Sequence, residues 1–210
     1  MTQRRIELLA PARNTDTGIA AINCGADAVY IGPEKFSARS AAGNPVGDIE
    51  KLAAFARKYN ARVFAAMNTI LFDHELEEAE KLIWKLFDAG IDALIIQDMG
   101  ILEMNLPPLA IHASTQAENS RPERIEFLAS AGINRIVLAR ELSIEEIRAV
   151  RERVSCELEL FIHGALCVCY SGNCYLSAAY GGRSANRGEC AQPCRKEWAL
   201  ETAPGDVIAE

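Results

Sequence analysis

The 210-residue sequence is poor in aromatic side chains (7%), has only three histidines, and contains no apolar run near the roughly 20 residues that a membrane span needs. No apolar signal segment follows the first five residues. These absences argue against secretion and membrane insertion and place the chain in the cytoplasm. With 22 Lys+Arg against 29 Asp+Glu the net charge is −7, which disfavours a broad phosphate-binding surface and leaves room only for a local basic patch. Gly-x-Gly-x-x-Gly, His-Glu-x-x-His and Gly-x-Ser-x-Gly are all missing, so dinucleotide-fold, zincin and serine-hydrolase signatures are excluded. Cysteine is scarce at first and then concentrated. Cys24 stands alone in the first 155 residues, Cys156 follows, and Cys167, Cys169, Cys174, Cys190 and Cys194 crowd into 28 positions. A disulfide scaffold would spread its cysteines, so this clustering reads as a metal or cluster site, with reduced structural thiols as the alternative.

What is present is a globular chain, 50% hydrophobic, built from alternating segments. Seven short apolar runs read as strands: residues 6–12, 28–32, 62–68, 93–98, 109–115, 135–140 and 158–164. Six stretches between them read as helices. Asp73 is the expected N-cap of the third, and Ser120-x-x-Glu123 and Ser143-x-x-Glu146 have the capping-box pattern. Trp84, Phe87 and Phe127 lie at helical spacing and are expected in the core. Three helix-to-strand joints repeat one pattern, at Gly25, Gly90 and Gly132, each followed two residues later by Asp or Asn.

Alternating strands and helices predict a parallel sheet, α/β in class. Polar residues gather where the strands end: Asn68, Gln97, Asp98, His112, Gln116, Arg140, Glu141 and His163. A ring of functional groups at strand ends is how a TIM-like (β/α) barrel builds its site. That barrel is the expected fold over residues 1–164, incomplete at about seven strands. A Cys-rich loop of the same domain follows at 165–195. Residues 196–210, with no clear helix or strand, read as the start of a truncated continuation, so the chain reads as the N-terminal part of something longer. Within the ring, strand alternation would send His112, Ser114 and Gln116 to one side as catalytic or substrate-binding groups. Arg39, in a loop of small residues, is a candidate clamp for a carboxylate. Arg183, Arg187, Arg195 and Lys196 make the Cys-rich loop locally basic, suiting RNA phosphate or counter-charge for thiolates.

The run Glu159-x-Phe161-x₂-Gly164-Ala165-Leu166-Cys167-x₄-Gly172-x-Cys174-x-Leu176-Ser177 resembles the signature of the peptidase U32 family. The resemblance extends to LLAPA at 8, AVYIG at 28, HASTQ at 112, LARELS at 138 and RGECAQPCR at 187. It implies an oxygen-independent hydroxylase of tRNA, ribosomal RNA or the ubiquinone ring, with a [4Fe–4S] cluster and prephenate as oxygen donor. Cys167, Cys174 and Cys190 match three cluster ligands, the fourth being Cys194 or a cysteine beyond Glu210; zinc is the alternative metal. Cys169 is spare in that scheme, and His163 is either a neighbour of the cluster or half of a Cys–His pair with Cys167. The family's older assignment is a collagenase-like protease; the Cys–His pair is drawn from the four-residue spacing alone, and a plain strand-end histidine is the alternative for His163. A third reading is a non-catalytic, metal-stabilised module that assists a protein partner.

Overall fold

A computed structural model describes residues 6–38, 43–201 and 207–209 of the chain. The repeated helix-to-strand joint sets the architecture. Gly25, Gly90 and Gly132 have φ of 101°, 85° and 94°, the left-handed turn that lets each helix stop and a strand begin at once. The polar residue two positions on then reaches back to the preceding strand or its lead-in. Asp27 accepts from the Leu8 N–H at 2.9 Å, Asp92 from Val63 at 2.8 Å and Asn134 from Ile111 at 2.8 Å.

The strands are β1 (Leu9–Ala12), β2 (Ala28–Ile31), β3 (Arg62–Met67), β4 (Ala93–Ile96), β5 (Ala110–Ala113), β6 (Arg135–Val137) and β7 (Glu157–Glu159). They form one sheet in sequence order, every pair parallel. Helices α1 (Thr15–Asn23), α2 (Val46–Lys58), α3 (Leu76–Asp88), α4 (Pro122–Ser130) and α5 (Ile144–Arg153) make the crossovers. The result is the expected TIM-like arrangement, seven strands of an incomplete barrel.

Two apolar clusters follow from strand alternation. The larger packs Val29, Ile31, Val63, Met67, Leu94 and Ile96 outward against the helices. The smaller lines the barrel interior with Ala28, Phe64, Ala66, Ala93 and Ile95. Charge closes the curve. Arg135 of β6 is 7% exposed and pairs with Glu157 at 2.5 Å and Glu159 at 3.4 Å, and at 2.6 Å with Glu7, which precedes β1. Arg62 of β3 also pairs with Glu7.

Several local expectations differ from the structure. The β4–β5 crossover is a 3₁₀ turn, Met99–Glu103, rather than the fourth of the six expected helices, because Pro107-Pro108 leave no room to extend it. Ser143 forms its capping box with Glu146, but Ser120 does not cap α4; Arg121 takes that position and Pro122 starts the helix. Asp73 opens a 3₁₀ turn, and Glu75 accepts from the Phe72 N–H instead. Trp84 and Phe127 are exposed, the latter by 65%, because Ile83, Leu86, Ile125 and Leu128 already fill their helices' buried faces. Residues 200–201 and 207–209 form a small antiparallel pair, β8 (Leu200–Glu201) and β9 (Val207–Ala209), too short for periodicity to reveal.

Candidate functional site: a polar barrel mouth beneath a thiol-bearing strap

Inward-facing positions at the C-terminal ends of β3, β4 and β5 carry Asn68, Gln97 and Ser114, with His112 one layer deeper beside Ile95. Asn68 joins two walls: its Oδ1 accepts from the Ala38 N–H at 3.0 Å and its Nδ2 donates to Ser114 Oγ at 3.2 Å. Buried Asn119 donates to the carbonyls of Ser114 and Val137, both at 2.8 Å, tying β5 to β6. Several buried atoms on this wall find no partner among the described residues: Gln97 Oε1, His112 Nδ1, Thr115 Oγ1 and Asn119 Oδ1. Buried polar atoms are normally paired, and those unpaired inside a barrel mouth are groups available to a polar ligand.

His112 is 3% exposed and meets Phe64 edge-on at 4.9 Å. Burial, helped by the nearby Arg135 and Arg62 charges, pushes its pKa down to about 3. The imidazole is therefore neutral near pH 7, able to hydrogen-bond a ligand but not to act as a cation. Burial pushes the Glu159 carboxyl above its ordinary range, and Arg135 opposes that shift only in part. Gln116 departs from the expected alternation. The strand ends at Ala113, and Ser114 caps a 3₁₀ turn, Thr115–Ala117, so Gln116 sits on the turn rather than in line with His112. His163 is exposed beyond the end of β7, and Arg39 lies outside the described residues.

Residues 165–195 cross this mouth as a strap held at two points. At the β5–β6 side, Ser171 donates to Glu141 through its N–H at 2.7 Å and its hydroxyl at 2.9 Å. Burial alone would raise the Glu141 carboxyl, but these bonds outweigh it and hold it below its ordinary range. Gly172, with φ of 78°, lies so close to the Gln116 carbonyl that a Cβ there would collide with it. At the β3 side, Arg187 forms a fork with Glu75 at 2.7 and 2.9 Å, donates to the Ile70 carbonyl at 2.6 Å and lies 4.1 Å from the Phe72 ring centre. The Arg187 bond pulls the Glu75 carboxyl below its ordinary range. Beside this latch is an open cleft of about 270 Å³, lined by Ser37, Thr69, Glu75 and Arg187 among others. The sequence marks Arg187 only as one of several basic residues; that it anchors the strap depends on a carboxylate 112 positions away.

Cys167, Cys169 and Cys174 lie on the stretch of the strap around Ser171, and Cys190 and Cys194 follow further along it. The Cys169 thiol donates to the Asn173 carbonyl at 3.5 Å, with Cys174 and Cys167 close enough to act on it electrostatically. Burial, then Cys174, raises the Cys169 thiol pKa. Cys190 accepts from the Gln192 N–H at 3.4 Å, and Cys194 sits in the 3₁₀ turn Pro193–Arg195. Among the described residues, no three Cys, His, Asp or Glu side chains converge to hold a metal ion. As placed, the donor set does not fit a four-thiolate cluster or a closed zinc site.

The fold and the strap define an α/β barrel-type protein with a polar strand-end site and a cysteine-bearing cover. The chain belongs to peptidase family U32, whose model matches residues 13–209. It is 50% identical to the 23S rRNA 5-hydroxycytidine C2501 synthase of Escherichia coli K12, over 100% of this chain and 32% of that one. It is 38% identical to tRNA hydroxylation protein P1 of Bacillus subtilis 168, over 96% and 49%, and 33% identical to a Porphyromonas gingivalis collagenase, over 96% and 52%. The chain thus spans between a third and about half of the length of these relatives. Among solved structures, the U32 peptidase Mk0906 superposes with a TM-score of 0.64 at 19% identity, covering 76% of this chain and 70% of that one, a likeness of fold. Among the described residues, no helix is long and apolar enough to cross a membrane.

Proposed function

We propose that this chain is the barrel portion of an enzyme that hydroxylates a base in RNA, as its relatives' names say of ribosomal and transfer RNA. The observation that carries the reading is the strap: it ties the Cys-bearing segment across a barrel mouth whose buried Gln97 and His112 each keep a polar atom with no partner among the described residues. Gln97 Oε1 can accept from an exocyclic amine or ring N–H, and neutral His112 can donate or accept through Nδ1. Asn68 and Ser114, already fixed to each other, hold the rim in shape so that a base is oriented without reorganisation.

The full proposal includes prephenate as oxygen donor, an iron–sulfur cluster and a cytoplasmic location. The cofactor part rests on the family resemblance, and it requires the strap to rearrange so that Cys167, Cys174 and Cys190 meet a fourth donor. The test is nucleoside mass spectrometry of RNA from cells lacking the protein. Loss of a nucleoside carrying one extra oxygen, restored by the wild type but not by Gln97→Ala, is the expected result. An unchanged nucleoside profile would overturn the reading. Iron and sulfide measured in anaerobically purified protein test the cofactor separately.

Protease action is the second reading, since one relative is named a collagenase. His163 and Cys167, the residues for a Cys–His pair, are both exposed, and no hydrogen bond joins them. This arrangement favours the hydroxylase.

A further inference from the structure

The strap leaves a group of rings uncovered on the face it shows to solvent. Helix α6 (Leu176–Gly181) follows Cys174, and the 3₁₀ turn Pro193–Arg195 packs beside it, tied by the Ala191 N–H donating to buried Ser177 Oγ at 2.7 Å. On this small base stand Tyr180, 62% exposed, and Trp198, 47% exposed, edge-to-face at 5.2 Å. The indole is not free to turn, because its Nε1–H donates to the Pro193 carbonyl at 2.9 Å. Lys196 holds its ammonium 5.8 Å from the centre of the Tyr180 ring. Arg183 and Arg195 are exposed on the same segment. Apart from Arg187, which is latched to Glu75, residues 180–198 carry three cations (Arg183, Arg195, Lys196) against Glu189 and Glu197, in a chain whose net charge is −7.

We propose that Tyr180, Trp198 and Lys196 form a stacking platform for unpaired bases flanking the nucleotide that enters the barrel. The proposal rests on the RNA reading above and names the strap's outer face as a second contact for the same substrate. Rings held rigid and exposed offer planar faces to bases of any sequence, and cations between them meet phosphates. A protein partner would also cover apolar rings, but the charge balance decides between them: a basic island on an acidic molecule fits a polyanion. A duplex keeps its bases stacked on each other, so the platform selects single-stranded RNA or loops.

The chain has two tryptophans, and the other, Trp84, lies on α3 with its indole bonded to the Asn105 carbonyl. Trp84→Phe therefore makes Trp198 the sole indole reporter. The experiment titrates this variant with a single-stranded RNA of about 12 nucleotides, following tryptophan emission and, with labelled RNA, anisotropy. The expected result is saturable quenching by the single strand and little by a duplex. Affinity should fall about tenfold in Tyr180→Ala and be kept in Tyr180→Phe, the size expected for one lost base stack. Binding seen by anisotropy without quenching, or unchanged by Tyr180→Ala, would overturn the platform and leave the RNA reading standing. No binding by either signal would overturn both. Emission typical of a buried indole, in a protein that sediments above its monomer mass, would assign this face to a protein neighbour and also overturn the platform.

Discussion

His112 illustrates how one side chain can be read correctly by position and still surprise by environment. Strand-end placement marks it as functional, but only the structure shows it enclosed beside Phe64, Arg135 and Arg62. Its pKa is near 3 when folded and about 6.5 when the chain is unfolded, so the unfolded chain takes up a proton first as pH falls. The stability this neutral imidazole confers is complete above about pH 6.5 and is lost as pH falls from there toward 3. Between about pH 7 and pH 5 the protein should lose about 2 kcal/mol more than His112→Leu does, read from urea midpoints at each pH. Equal slopes for the two proteins would mean the imidazole is hydrated in the native state. Gly172 is the complementary case, a residue with no side chain whose place decides the strap's position. Gly172→Ala puts a Cβ into the Gln116 carbonyl at a left-handed φ. It should release Ser171 from Glu141, seen as faster amide exchange at Ser171, at a cost of about 1–3 kcal/mol.

At the scale of elements, strand order and the glycine joints were legible because they depend on local chemistry: apolar runs, a left-handed glycine, a capping serine at 143. The sequence repeat also held information that its glycines alone do not express. Asp27, Asp92 and Asn134 precede β2, β4 and β6 and reach back to Leu8, Val63 and Ile111, so every second crossover carries the same clamp. The intervening joint before β3 uses Asn60 at φ of 60° instead. Because the clamp needs only an acceptor oxygen, Asp92→Asn should be nearly neutral. Asp92→Ala should cost about 1–2 kcal/mol by urea unfolding, since it strips the partner from the Val63 amide at the start of a buried strand. What local chemistry could not reveal were the contacts between distant segments. The Glu75–Arg187 fork, the Ser171–Glu141 pair and the exclusion of Phe127 from the core depend on which faces meet after folding.

For the molecule as a whole, the open question is what keeps seven strands curved when the sheet order ends at β1 and β7 without pairing them. The interior apolar cluster is small and rich in alanine, so packing alone has little to grip. Arg135 supplies the missing connection, reaching from β6 to Glu157 and Glu159 on β7 and to Glu7 ahead of β1. Its guanidinium also lies 5.3 Å from the Phe64 ring centre, on a third side of the barrel. Removing it strands the largely buried Glu159 carboxylate and leaves Glu7 with Arg62 alone, a loss of about 3–5 kcal/mol for a broken buried pair. Arg135→Met should therefore destabilise the protein by that order. Adding Glu159→Leu should recover part of the loss, because an uncompensated buried acid is then removed. A surface-type network would behave otherwise, with Arg135→Met costing under about 1 kcal/mol and vanishing in molar salt. Urea unfolding of the single and double variants at low and high salt separates the two. Only the first outcome fits a barrel whose curvature is held by a charge at its centre.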